Sequence, residues 1–331
     1  MPCHPIEDAN EDSIFGQLSA EKFYEKHGVQ HAESWMTNGR GMRLFTQSWE
    51  PTRCSKRKGQ ILLLHGFAAN SSWAVQLTGV GLAAQGFSVQ ALDHQGHGRS
   101  DGLRAHLPDL HAAVDDCAQF ARSFRQATPK NEPLFFFGES LGGTMALLIH
   151  LEHPDIRCDG VVLVGAMCGI SPSYMPPLPL RVMLRMAARL IPTLPIVPTQ
   201  PIAELSFKEP WKLRLITKDP MGIGLRPRPA TAQAFLDAIS EITARAHEVT
   251  APLLVVHGEK DVICDPEGVK VVYQKAASTD KTIKIYKGMW HQLVGEPKEN
   301  IDMVFSDICQ WLDARAVGHI FPSNLPENGQ I

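Results

Sequence analysis

Residues 133–151, PLFFFGESLGGTMALLIHL, constrain this chain more than any other stretch. Phe135, Phe136 and Phe137 follow Pro133 in a short apolar run, which reads as a strand buried on both faces. Thr144 to Ile149 is apolar and rich in helix formers, and reads as a buried helix. Between them lies Gly138-Glu139-Ser140-Leu141-Gly142-Gly143. A serine on so sharp a strand-to-helix turn has strained dihedrals, and the residues two before and two after it must be small for the chain to fold back. The turn lifts the Ser140 hydroxyl above the sheet, over the first amides of the helix. A chain with 26 glycines meets the G-x-S-x-G pattern by chance at times, so the flanking strand and helix carry the argument.

The same alternation continues on both sides. Apolar strand runs are read at Gln60–Leu64, Phe87–Asp93, Gly160–Ala166, Pro252–His257 and Thr282–Tyr286. Helical spacing is read at Asp109–Thr128, Pro266–Ala277 and Asn300–Ala314, and a helix capped by Ser71 or Ser72 runs to about Gln85. Strand alternating with helix from 60 to 315 predicts right-handed crossovers and a mostly parallel, doubly wound α/β sheet. Glu33–Thr37 and Met42–Trp49, separated by Asn38-Gly39-Arg40-Gly41, read as a hairpin ahead of it.

The segment after the sixth strand has a different texture, rich in proline and apolar residues, and reads as an inserted helical cap. Within it Arg181, Arg185 and Arg189 fall on one face of a helix, and Val182, Met183, Leu184, Met186 and Leu190 cover much of the rest. Such a cap either packs on its own core or forms a lid that lines an acyl pocket or touches a lipid surface. The expected layout is an N-terminal extension over 1–30, a core over 31–170 and 231–315, a cap over 171–230 and a tail over 316–331. A helix near Ala20–Lys26 is expected in the extension, and one over Thr231–His247 returns the chain to the core.

Composition excludes several classes of function. A formal net charge of −3 opposes a nucleic-acid partner, which needs a basic surface. No run of eighteen apolar residues predicts a membrane span, and the polar, acidic start is without the basic beginning and apolar stretch of a signal peptide, so none is expected. Seven cysteines, odd in number and without a CxxC pair, suggest neither a disulfide framework nor zinc, so a cytoplasmic protein with reduced thiols is expected.

Ser140 needs a base, and the base needs an orienting acid. In a parallel α/β sheet the reacting groups gather beyond the carboxyl ends of strands. Asp261 follows the strand ending at His257, with Glu259 and Asp265 as the neighbouring alternatives. His291 follows the last strand, and the only later histidine, His319, sits in the polar tail. Ser140, Asp261 and His291 also stand in the chain order that this architecture requires. Two amides must hold an oxyanion: that of Leu141, after the nucleophile, and that of Phe67, in the loop His65-Gly66-Phe67-Ala68. His65 is expected to brace that loop, and Gly96–Gly102 (GHGRSDG) to be a structural turn, since it lacks the lysine and spacing of a phosphate loop. Cys264, three residues past the acid, is expected to be a buried thiol near the site.

These motifs together, HGF, GHGRSDG, GESLGG, HGEKD and GMWH, resemble the monoacylglycerol lipase-like branch of the α/β-hydrolases. GHGRSDGLRAHLPDLHAAVDDC and DKTIKIYKGMWHQLVGEPKENIDMVFSDICQWLDAR are similar to the plant subgroup that includes caffeoylshikimate esterases and plant monoacylglycerol lipases. The resemblance runs from about Trp35 to Arg315 and is weakest in the cap. It implies an α/β-hydrolase fold and a serine esterase that needs no cofactor. The substrate would be a small-molecule ester: a monoacylglycerol, a lysophospholipid or a phenolic ester. Some members associate peripherally with membranes. The nucleophile, acid and base fall on Ser140, Asp261 and His291, and the oxyanion amides on Phe67 and Leu141. Ala68 stands where a glycine is common in the family, which narrows the Phe67 loop. Two other outcomes keep the fold: an acyltransferase, in which an alcohol replaces water, and a ligand receptor, which needs no working serine. Halide or epoxide chemistry would call for an aspartate in place of Ser140.

Overall fold

The computed structural model describes residues 2–317 except 55, 127, 130, 172–174, 176, 200, 201 and 223–225; His319 and the end of the tail lie outside them. The strands in chain order are β1 (Val29–Thr37), β2 (Arg43–Pro51), β3 (Gly59–Leu64), β4 (Phe87–Leu92), β5 (Leu134–Glu139), β6 (Gly160–Val164), β7 (Leu253–Gly258) and β8 (Lys281–Tyr286). They form one sheet in the order β1-β2-β4-β3-β5-β6-β7-β8. The pairs β1–β2 and β2–β4 are antiparallel and every other pair is parallel. The hairpin loop spans five residues, because Thr37 pairs with Arg43. Asn38 shapes it: its side-chain oxygen accepts from the Arg40 and Met42 amides at 3.0 and 2.9 Å, and its amide nitrogen donates to Asp116.

The central strands bury every residue, and their period of two divides the core. Leu62, Leu64, Phe136, Leu163 and Val255 face one layer; Ile61, Leu63, Phe135, Phe137, Val162 and Val256 face the other. Helices α1 (Ala20–His27), α2 (Trp73–Ala84), α3 (Leu110–Gln126) and α4 (Leu141–Glu152) precede the cap. Beyond β6 come α5 (Leu178–Leu190), α6 (Ile202–Ser206), α7 (Pro210–Thr217), α8 (Pro229–Arg245), α9 (Pro266–Lys275) and α10 (Lys298–Val317). Helices α3, α4, α8 and α9 fill the first layer; α2 and α10 fill the second. The second layer also takes in the N-terminal segment, with Ile6, Ile14 and Phe23 buried in it.

The segment between β6 and α8 is held unevenly. Helix α7 is tied to the body. The Trp73 indole donates to the Leu215 carbonyl at 2.8 Å, and the fully buried Lys212 ammonium donates to the Glu296 carbonyl at 2.7 Å and to Glu7 at 3.2 Å. Helix α5 packs against α8 and buries none of its residues; Leu178, Met183 and Leu190 are 70, 62 and 75% exposed. Among the described residues no helix is long and apolar enough to cross a membrane.

Gly79 shows how tightly the second layer is packed. A Cβ there would sit 2.7 Å from the completely buried Trp49 ring. Gly79→Ala should therefore lower stability by about 1–3 kcal/mol through overpacking, despite the better helix propensity of alanine. Chemical denaturation checks this, and a variant as stable as the parent would show that the layer yields.

Candidate active site

Strand β5 passes into α4 through one residue. Ser140 has φ +54° and ψ −117°, a conformation rare for a residue with a Cβ. The turn closes only because its neighbours are glycine. A Cβ on Gly138 would come within 2.2 Å of the Gly142 carbonyl oxygen, and one on Gly142 within 2.1 Å of the Leu64 carbonyl oxygen. The Ser140 amide donates to the Val164 carbonyl, and the Ser140 carbonyl accepts from Met167, both at 3.0 Å, which holds the turn to the end of β6. The hydroxyl thus stands at the carboxyl edge of the sheet, with α4 opening beneath it.

The loops after β7 and β8 bring the other two groups to it. Asp261 Oδ1 accepts from the Ile263 and Cys264 amides, each at 2.9 Å. Asp261 Oδ2 accepts from His291 Nδ1 at 2.7 Å, and His291 Nε2 lies 3.2 Å from Ser140 Oγ. That contact pattern requires Nδ1–H on His291 and leaves Nε2 free to accept the serine proton. Asp261 and His291 are both about 5% exposed. Burial alone would raise the Asp261 pKa, but the imidazoles of His291 and His257 outweigh it and hold the carboxyl well below the usual carboxylate range. Of the neighbouring acids, Glu259 is exposed and accepts from the Gly288 amide, and Asp265 caps α9 through the Glu267 amide. Among the described residues the carboxylate that meets His291 is that of Asp261.

The Leu141 amide opens α4 and so has no intrahelical acceptor, which leaves it available to an anion. The Phe67 loop is close by: a Cβ on Gly66 would meet Ser140 Cβ at 3.0 Å. Ala68 holds φ +64°, the left-handed region where glycine is cheaper than alanine by about 1 kcal/mol. The Phe67 ring packs edge-on against Phe235 of α8, with centroids 5.1 Å apart, and so gives this loop an apolar wall. His65 braces the loop as an Nδ1–H tautomer, donating to the Gly66 carbonyl at 2.7 Å and accepting from the His94 amide at 3.1 Å. Within residues 96–102, the Arg99 amide donates to Asp93, which also accepts from Ser71, so the turn is tied to the loop before α2.

Cys264 Sγ lies 3.9 Å from Ser140 Oγ, and burial pushes its pKa well above the ordinary thiol value, so it stays protonated. Asp261, Cys264 and His291 bring ligand-type atoms within 4.8 Å of one another. Their hydrogen bonds, however, already commit the carboxylate and His291 Nδ1 to each other. At the surface, His111 meets Glu152 and Glu241 through its two ring nitrogens, which makes an ion cluster between three helices.

Two groups escaped sequence reasoning. Glu139, beside Ser140, is buried, and burial raises its pKa to about 7, against the opposing effects of the Thr78 hydroxyl and His291. His257 lies 3.0 Å from Asp261 Oδ2. The available signal for each was a polar residue closing an otherwise apolar strand.

Residues 55–298 match the family described as serine aminopeptidase, S33. The chain is 31% identical over 316 residues to the caffeoylshikimate esterase of Arabidopsis thaliana, covering 95% of this chain and 94% of that one. It is 29% identical over 281 residues to the human monoglyceride lipase, covering 85% of this chain and 90% of the other. Among solved structures, a soluble variant of the Saccharomyces cerevisiae monoglyceride lipase in complex with a substrate analogue superposes with a TM-score of 0.73 at 23% identity, over 85% of this chain and 94% of that chain.

The buried histidines predict an acid limit to stability. Burial holds His4 and His94 down to about 3, His97 to about 4, and His65 well below its ordinary value. Below pH 6.5 the unfolded chain binds protons that these folded-state groups refuse, so each contributes a loss of about 1.4 kcal/mol per pH unit between 6.5 and its folded pKa. Glu139 opposes them with one proton, because its raised pKa favours the folded state as pH falls from 7 to 4.5. The denaturation midpoint should fall from pH 6.5 to 5; a flat or rising midpoint would contradict the assigned neutral histidines.

Proposed function

The chain belongs to the serine aminopeptidase S33 family of α/β-hydrolases and is a carboxylic ester hydrolase; from that premise we propose that it cleaves single-chain acyl esters of the monoacylglycerol and lysophospholipid type through a covalent acyl-enzyme. The observation that carries the mechanism is the hydrogen-bonded line Ser140–His291–Asp261, 3.2 and 2.7 Å per step, at the strained turn.

In this mechanism Ser140 Oγ attacks the ester carbonyl carbon as His291 Nε2 takes its proton. The carbonyl electron pair becomes an oxyanion, which the Leu141 and Phe67 amides stabilise. When the intermediate collapses, the alcohol leaves with the proton from His291, and Ser140 keeps the acyl group. Water then attacks the acyl-enzyme by the same steps, gives its proton to His291, and Ser140 recovers it as the carboxylic acid departs. Asp261 maintains the Nδ1–H tautomer and balances the imidazolium charge. No step calls for a cofactor, and nucleic acid has no part in it.

The lipid reading rests on the cap. An amphipathic helix that buries nothing, with exposed methionines and leucines and three arginines, has the form of an interfacial helix. We place the protein in the cytoplasm, in peripheral contact with a membrane that presents its substrate. A phenolic ester is the second reading, supported by the 31% identity to the caffeoylshikimate esterase. An alcohol in place of water at the second step would make the same site an acyltransferase.

Measurement of kcat/KM on 2-monooleoylglycerol, a lysophosphatidylcholine and caffeoylshikimate separates these readings, with the lipids expected to lead. Ser140→Ala should lower hydrolysis of every substrate by about 1,000-fold or more, with the fold retained. Full activity in that variant would remove the mechanism, and a lead for caffeoylshikimate would move the substrate to the phenolic class. Met183→Ser and Met186→Ser, at positions 62 and 56% exposed, should weaken turnover of vesicle-borne monoacylglycerol about tenfold while sparing a soluble acetyl ester. Equal losses on both would reject the interfacial role of α5.

A further inference from the structure

His257, fully buried near the end of β7, is the second imidazole on the Asp261 carboxylate. Its Nε2 lies 3.0 Å from Asp261 Oδ2 and 3.2 Å from the Cys264 carbonyl oxygen. Two acceptors facing one ring nitrogen place a proton on it. The other nitrogen, Nδ1, is buried and meets no partner among the described residues. A proton there would be an orphaned donor, which is costly in the interior, so Nδ1 carries only its lone pair.

From this geometry we infer that His257 is a positioning residue for the hydrolytic site: its Nε2–H fixes Asp261 Oδ2 independently of His291. Oδ1 then accepts from the Ile263 and Cys264 amides, Oδ2 accepts from His291, and the His257 Nε2–H, shared with the Cys264 carbonyl, is the fourth group at the carboxylate, 3.0 Å from Oδ2. Without His257, the side chain left on Oδ2 among the described residues would be His291, the base that the carboxylate is meant to orient. The acid could then turn about its Oδ1 anchor as His291 shifts between Ser140 and the leaving group. With His257 in place the acceptor stays put, and His291 returns to one orientation after each proton transfer. The bond from His257 to the Cys264 carbonyl also ties the acid's own loop to the strand that launches it.

This inference rests on the Ser140–His291–Asp261 mechanism, and its test separates the two. His257→Gln retains an amide donor at a similar reach; His257→Leu retains bulk without a donor. On a soluble p-nitrophenyl ester, the leucine variant should lose about 10- to 100-fold in kcat with KM nearly unchanged, the effect of removing a charge-assisted hydrogen bond felt in the transition state. The glutamine variant should recover most of that loss. Nitrogen NMR of histidine-labelled wild-type protein, with His257 assigned by its absence from the glutamine variant, should show the proton on Nε2. Wild-type kcat in the leucine variant, an equal loss with glutamine, or a proton on Nδ1 would each overturn the inference. If the leucine variant fails to fold, the glutamine kinetics and the NMR tautomer still decide. Ser140→Ala run on the same ester keeps the readings apart: activity there sinks the serine mechanism, whereas an inactive Ser140→Ala beside a fully active His257→Leu sinks only the role of His257.

Discussion

The rest of the structure depends on the backbone of Ser140. A non-glycine residue at φ +54° and ψ −117° holds only where its surroundings over-determine it. The sheet supplies that: β5 is buried throughout, and amide-to-carbonyl bonds on both sides of Ser140 reach β6 and the segment after it. The helix supplies the rest, since Gly142 and Gly143 let α4 approach β3 and Ala166 to distances no side chain permits. An interior made of strands β3, β5, β6 and β7 and the largely buried helices α2 and α4 stabilises one costly residue at its edge.

Much of this was legible in the chain, for a physical reason. Buried parallel strands must be apolar on both faces, so β3, β5 and β7 stand out as unbroken runs, and the loops after them are where chemistry can gather. With Ser140 legible from its glycine-flanked turn, that restriction leads to Asp261 and His291, and the structure brings the three into one hydrogen-bonded line. The hairpin was legible from Asn38-Gly39, yet its five-residue loop was not. That length follows from the bonds of the Asn38 side chain to Arg40, Met42 and Asp116, and the last of these is 78 residues away.

Other features were hidden because they consist of long-range pairing between unremarkable residues. The N-terminal segment is polar and acidic and reads as a mere extension. Its Glu7, Glu11 and Asp12 meet Lys212, Arg214 and Lys218 of α7 and the residue just after it. Isolated surface pairs of this kind are worth little. Here the Lys212 ammonium is buried, and Ile6 and Ile14 enter the core alongside the acids, so the contact is more than a set of solvated charges. His257 was hidden differently. It closes an apolar strand, and only the path of the next seven residues shows that its ring meets the acid.

The segment between β6 and α8 is divided in how firmly the body holds it. Helix α7 is bonded to the body through Lys212 and Leu215, and Asp219 just beyond it accepts from Asn70 in the loop after β3 at 2.7 Å. That side of the segment is therefore bonded to the loop that carries Phe67. Helix α5 packs on α8, presents large apolar side chains outward, and ends in a proline-containing segment. Helix α8, on which α5 packs, also holds Phe235 against Phe67, so it joins the outward-facing helix to the apolar wall of the Phe67 loop. Ser140, Asp261 and His291, by contrast, stand on the turn and loops that follow β5, β7 and β8. The helix that presents apolar side chains outward and the hydrogen-bonded line Ser140–His291–Asp261 are thus parts of the chain that the core holds to different degrees.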